Sequence, residues 1–222
     1  MQAVILAAGK GTRLGELTKD IPKPLLKINQ KPILEYTLEA LPEKISEAVI
    51  VIGHLGEQIK KRFSESFGKI KLTYVEQKEL SGTAGALWQT QSFLKDEFLV
   101  LNGDDIYDKK ELEKCLEKGW AIGLANGSSP ADKYLSFELN NDSTVKNWSR
   151  AQKNENILMA TGAYFISSEI FKYEPVEIIA TGELGLPQTI LKTGKQLSGI
   201  IMNKWIQINY PEDILKAEKK II

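Results

Sequence analysis

One cysteine, Cys115, and one histidine, His54, are all that the 222 residues hold of either type. A lone thiol excludes an internal disulfide and suits a reducing compartment. The same shortage excludes zinc sites built from cysteine and histidine clusters. Net charge is missing too: 29 Lys and Arg offset 29 Asp and Glu. Such a chain is not built for broad electrostatic attraction to nucleic acid or to an anionic membrane. Any anion it binds must meet positive charge concentrated locally. No apolar run approaches the roughly 20 residues that cross a bilayer. The start, MQAVILAAG, has neither the basic n-region nor the cleavage site of a signal peptide. The expected setting is the cytoplasm.

What is there is an α/β pattern. Short apolar, β-branched runs (Ala3 to Ala7, Ala48 to Ile52, Ile70 to Val75, Phe98 to Leu101) alternate with helical-period segments. Helices are expected over about 33–41, 57–67 and 84–94. The runs are continuously apolar rather than alternating, as strands buried on both faces must be. This predicts a three-layer α/β/α arrangement around a mostly parallel sheet. Beyond residue 120 the pattern loosens. Strands are expected at 120–125 and 162–166, with shorter ones over 134–148 joined by the turn Asn140-Asn141-Asp142-Ser143. Helices are expected over 184–192 and 211–221; the second has Pro211 in its first turn and Glu212 and Asp213 at the positive end of its dipole. No linker, repeat or low-complexity stretch interrupts the chain. One domain over 1–222 is expected, with about 1–125 and about 126–222 as its two halves.

The strongest local signal is the loop Leu6-Ala7-Ala8-Gly9-Lys10-Gly11-Thr12-Arg13-Leu14, with Pro22-Lys23-Pro24-Leu25-Leu26 soon after. It follows a buried strand and so lies at the carboxyl edge of the sheet, where open α/β folds bind ligands. Glycines there let backbone N–H groups approach phosphate oxygens. Between Gly9 and Lys27 stand five basic residues and two acidic ones, a local excess of +3 on a neutral chain. It is neither a Walker A loop, since no glycine precedes a Lys-Ser/Thr pair, nor a dinucleotide fingerprint, since Gly9, Gly11 and Gly15 are spaced one residue too widely.

LAAGKGTRL followed by PKPLLKI and then Lys-Pro-Ile-Leu-Glu-Tyr resembles the signature of the sugar-1-phosphate nucleotidyltransferases, and the resemblance runs through almost the whole chain. It implies a Rossmann-like mixed sheet and transfer of a nucleotidyl group from an NTP to a sugar 1-phosphate, with Mg²⁺ and release of pyrophosphate. By that resemblance Arg13 holds the β- and γ-phosphates and Lys23 contacts the α-phosphate. The backbone of Ala7, Ala8 and Gly9, with Gly11 and Thr12, completes the nucleotide loop. Tyr74-Val75-Glu76-Gln77 with Leu80-Ser81-Gly82-Thr83 is similar to the base-recognition segment, so that Gln77, Gly82 and Thr83 bind nucleotide. A glutamine amide offers a donor and an acceptor, which suits the imide edge of uracil or thymine. UTP or dTTP is therefore expected.

Leu101-Asn102-Gly103-Asp104-Asp105 ends a buried strand on the same edge. The resemblance assigns Asp104 to the metal, leaving Asp105 as a turn residue or helix cap. Thr161-Gly162-Ala163 and Thr181-Gly182-Glu183 are similar to the segments that line the sugar pocket, with Gly162 against the ring and Glu183 accepting from hydroxyls. Trp205 to Asp213 resembles the closing motif W-x-D-x-G-T-P-E-D but departs from it. Gln207 stands where many members carry the second metal-binding aspartate, and Asn209 is expected to supply a neutral carbonyl oxygen instead. A chain ending soon after this motif is expected to lack the β-helix that bifunctional acetyltransferase relatives append. Two alternatives stay open: the same chemistry on a heptose or choline phosphate, and a non-catalytic subunit that binds nucleotide sugars. Glu183 weighs against choline, which offers no hydroxyls to a carboxylate. Retention of Arg13, Lys23 and Asp104 weighs against the non-catalytic reading. Nothing in the sequence fixes an oligomeric state.

Overall fold

The computed structural model describes residues 1–129 and 134–221. Residues 130–133 and 222, all in the expected sugar-side half, lie outside the described set. Eight strands form the central sheet: β1 (Gln2–Ala7), β2 (Glu47–Ile52), β3 (Ser66–Phe67), β4 (Ile70–Glu76), β5 (Glu97–Asn102), β6 (Ala121–Ser128), β7 (Asn156–Ser167) and β8 (Ser198–Ile201). Their spatial order is β8-β6-β7-β5-β1-β2-β4-β3. Strand β1 pairs parallel to β2 and β5, β2 parallel to β4, and β8 parallel to β6. Strand β7 runs antiparallel to both β5 and β6, and β3 antiparallel to β4. The sheet is mixed and mostly parallel, and it draws strands from both halves of the chain.

The helices are α1 (Ile33–Glu39), α2 (Gly56–Phe63), α3 (Gly82–Trp88), α4 (Lys109–Leu116), α5 (Leu186–Lys192) and α6 (Pro211–Lys220). The period of two along each strand sorts them into layers. Ala3, Ile5 and Ala7 face one side, packing with Leu34 and Leu38 of α1, Ile59 and Phe63 of α2, and Leu112 and Cys115 of α4. Val4 and Leu6 face the other side, packing with Ala84 and Leu87 of α3 and Leu186 and Ile190 of α5. Burial of each large side chain contributes about 1.5–3 kcal/mol, which is why the strand runs are apolar throughout.

Three helices differ from the sequence expectation. Phe63 and Phe67 are spaced as on a helix, but Ser64 adopts φ 53 and the chain turns into β3. The two rings still meet edge to face, 6.1 Å apart. Helix α3 stops at Trp88, and a separate 3₁₀ turn follows at Gln91–Phe93. Residues 183–185 form a short strand against 176–178, and α5 begins only at Leu186, where Pro187 is tolerated because the first-turn N–H has no helical partner. The expected ribbon is present, Leu135–Leu139 against Val145–Arg150, with the turn between.

Candidate active site

A cleft of about 600 Å³ opens at the carboxyl edge of the sheet, where β1, β4 and β5 end. Ala8, Gly9, Gly11, Thr12 and Arg13 line it from the loop after β1, and Gln77, Gly82 and Thr83 from the turn between β4 and α3. Asp104, Gly162, Glu183 and Asn209 complete the wall. Six stretches far apart in sequence thus meet on one surface. Ala7 is the exception: it is 3% exposed and turned into the core on the α1 side. Lys23 is 6% exposed and stands outside the lining, in contact with Asp104 of the wall.

Two side-chain contacts join basic residues to the residues expected to ligate metal. Lys23 Nζ donates to Asp104 Oδ2 at 2.6 Å, and Arg13 Nη1 donates to Asn209 Oδ1 at 3.3 Å. Lys23 and Arg13 thus each hold an oxygen of a residue expected to ligate metal. Asn209 is fixed in turn by α6: Asp213 Oδ2 accepts from the N–H groups of Asn209 (3.0 Å) and Tyr210 (2.9 Å). Partial burial works to raise the Asp213 pKa, but these two N–H groups and Lys216 outweigh it and hold the carboxyl below its usual range.

Asp105 corrects the sequence reading. It is neither turn nor cap but a strand residue, 3% exposed, in a two-residue bridge that pairs Ile106 with Ile206 and Asp105 with Gln207. The cap of α4 is Asp108, which accepts from the Glu111 N–H at 3.2 Å. Burial, and then the neighbouring Asp104 charge, push the Asp105 carboxyl up to about 7, against Lys23 and the donors Ile208 N–H and Asn102. One signal was available in the sequence: Ile106 and Tyr107 continue the apolar run past the aspartates, and both are buried.

The turn between β4 and α3 is joined to the segment that enters α5. Leu184 N–H donates to Ser81 O at 2.8 Å, and Leu186 N–H to Thr83 Oγ1 at 3.0 Å, so Thr83 also caps α5. Gly82 adopts φ 87, and a Cβ there would lie 2.6 Å from Leu184 O. Only glycine permits that approach. Assigned from its hydrogen bonds, the Gln77 amide turns Oε1 toward the Ala86 N–H (3.2 Å) and the N–H and hydroxyl of Ser81 (both 3.3 Å). Gln77 is thus a buried organiser of this turn as well as part of the cleft. Gly162 sits with φ 77 where the pairing of β7 with β6 slips between Ala160 and Tyr164. An added Cβ at Gly162 would collide with the Asn102 amide. Lys10, Asn102, Tyr164 and Thr181 also line the cleft from within the motifs read in the sequence, which gave them no individual role there, and Gln188 lay outside every motif. Among the described residues no helix is long and apolar enough to cross a membrane.

Residues 2–221 match the family described as Nucleotidyl transferase. The chain is 33% identical over 230 residues to the bifunctional protein GlmU of Methanococcus maripaludis, with all of this chain and 54% of that protein covered. It is 34% identical over 215 residues to the D-glycero-alpha-D-manno-heptose 1-phosphate guanylyltransferase of Campylobacter jejuni, with 96% of each covered. The chain spans about half the length of the first of these relatives. Among solved structures, a UDP-glucose pyrophosphorylase complexed with UDP-glucose superposes with a TM-score of 0.79 at 18% identity, with 98% of this chain and 97% of that one covered. At that identity the likeness shows the fold.

Proposed function

Because the chain belongs to the nucleotidyl transferase family, we propose that it converts an NTP and a sugar 1-phosphate to an NDP-sugar and pyrophosphate. The observation that carries this reading is the convergence of Arg13, Lys23, Asp104 and Asn209 at a cleft that Gly162 and Glu183 also line. We read residues 1–222 as one domain, with the nucleotide half at about 1–125 and the sugar half at about 126–222.

The sugar-phosphate oxygen attacks the α-phosphorus in line, a P–O bond forms, and the bond to the β-phosphate bridging oxygen breaks. A phosphate is already an anion, so no side chain need remove a proton. What the chain supplies is position and charge. Arg13 holds the β- and γ-phosphates and takes the charge of the departing pyrophosphate. Lys23 moves from Asp104 to the α-phosphate. The backbone of the Gly9–Thr12 loop cradles the phosphates, the Gly82 turn receives the base, and Glu183 accepts from sugar hydroxyls. Asp104 and Asn209 are oxygen donors of the kind Mg²⁺ takes, and both line the cleft beside the phosphate loop. Mg²⁺ held there neutralises phosphate charge.

We favour UTP or dTTP, on the Gln77 amide at the cleft, whose N–H₂ group donates to a base carbonyl while its oxygen holds Ser81 and Ala86. The heptose 1-phosphate guanylyltransferase, covered almost end to end at 34% identity, supports a second reading, GTP with a heptose phosphate. Pyrophosphorolysis tests both. With Mg²⁺ and pyrophosphate, one nucleotide sugar from a panel of UDP, dTDP and GDP sugars is expected to yield its NTP. No NTP from any of them would favour the non-catalytic alternative.

A further inference from the structure

We propose that Asp105 is a positioning residue whose carboxylate sets Asn209 opposite Asp104, so that both oxygens offered to the cation come from one rigid unit. The inference rests on the proposed reading of Asp104 and Asn209 as the ligands. Asp105 is buried and does not line the cleft, so it meets no substrate. Its backbone is fixed by α1, since Thr37 Oγ1 donates to Asp105 O at 3.0 Å.

The argument lies in where a strand pairing stops. The bridge between the acidic turn and the closing segment ends at Asp105 and Gln207. The next N–H, that of Ile208, has passed the end of the ladder and is buried, where an unpaired donor is costly. Asp105 Oδ1 accepts from it at 3.4 Å, and the Asn102 side chain donates to the same carboxylate. The following two N–H groups, of Asn209 and Tyr210, are taken by Asp213 Oδ2 at 3.0 and 2.9 Å. Three successive backbone donors are thus held by two carboxylates, one from each side of Asn209. The Asn209 side chain is left to face the cleft, where Arg13 meets it.

An apolar side chain at 105 would continue the run Ile106-Tyr107 and bury more readily than a carboxylate. What it would lack is an acceptor for Ile208. The placement of a ligand, rather than the packing of the turn, is therefore what the aspartate supplies. The same hydrogen bond ties Asn209 to Asp104, the immediate neighbour of Asp105, across about a hundred residues of chain.

The test measures Mn²⁺ bound by the full chain with UTP, and with GTP in parallel, in the absence of any sugar phosphate, by electron paramagnetic resonance. Asp105→Ala is expected to weaken Mn²⁺ binding by at least about 10-fold, the usual cost of losing a residue that orients a ligand. Asp105→Asn keeps an oxygen for Ile208 N–H, and the Asn102 amide can turn to match it, so its binding should stay within about threefold. Thr90→Val, which removes a buried hydroxyl away from the cleft, controls for lost stability and should leave Mn²⁺ binding unchanged. Should Asp105→Ala not fold, Asp105→Ser, whose hydroxyl is too short to reach Ile208, takes its place with the same expectation. Native-like binding in the Ala or Ser variant overturns the proposal. So does an equal loss in Asp105→Asn, which would make charge and not the hydrogen bond responsible. Asp104→Ala separates the two levels: if it too binds Mn²⁺ normally, the ligand reading has failed, whereas loss there with a normal Asp105→Ala defeats the positioning role alone.

Discussion

Lys23 Nζ and Asp104 Oδ2 lie 2.6 Å apart, a contact between residues 81 positions apart in the chain. The lysine side chain is 8% exposed and the aspartate 34%, so the ammonium sits on the protein side of the pair and the carboxylate on the cleft side. In the proposed reaction the carboxylate is wanted by a divalent cation and the ammonium by the α-phosphate. The pair holds both groups at the reaction centre and keeps each compensated until the substrate arrives.

Lys23→Met should therefore act in opposite directions on two measurements. It removes a charge from the transition state, and kcat should fall by about 10²-fold or more. It also releases Asp104, and Mn²⁺ binding to the protein without nucleotide should tighten. Weaker Mn²⁺ binding in this variant would contradict the account of the pair.

Arg13→Ala and Asp104→Ala should each lower kcat by at least about 10²-fold, the scale of a lost electrostatic stabiliser. Steady-state kinetics of pyrophosphate release is the measurement. A near-normal kcat in either variant removes the role assigned to that residue.

Asp213→Ala should destabilise the protein by about 1 kcal/mol at pH 7, as expected when N–H groups at a helix start lose their acceptor. Thermal unfolding across pH checks this. The folded-state pKa of Asp213 is depressed. Its contribution is thus present above the unfolded value of about 3.9 and is lost as pH falls through the folded one. The gap in melting temperature between native and variant should narrow in acid; a gap that widens there contradicts the assigned hydrogen bonds.

Gly162→Ala should lower stability and raise KM for the sugar phosphate, because φ 77 is strained for alanine and the new Cβ meets the Asn102 amide. Adding Asn102→Ala should recover part of the stability loss. The strain of the backbone itself would remain. Purely additive losses in the double variant would show that the Asn102 contact is not the cause.

The layers and the loop that lines the cleft after β1 were legible because their signals are local. Continuous apolar runs mark doubly buried strands, and a glycine- and lysine-rich loop after the first of them marks the ligand edge. What escaped the sequence was set from far away. Strand β7 reads as apolar whichever way it runs, and only its pairing with β5 and β6 fixes its direction. Phe63 and Phe67 carry a helical spacing that a hairpin satisfies equally well. Asp105 looks like a turn residue until the segment at 206–208 closes over it. Most of the residues named from the loop and motif pattern line the cleft; the contact of Asn102 and the structural duty of Thr83 depend on partners 60 and 103 residues away, Gly162 and Leu186.

The central claim is nucleotidyl transfer, and its most direct test is pyrophosphate release with Mg²⁺ across four NTPs and a panel of sugar 1-phosphates. The account predicts release that requires both one NTP and one sugar phosphate and that ceases when Mg²⁺ is removed. Silence across the whole panel, with NTP binding still measurable, would contradict it.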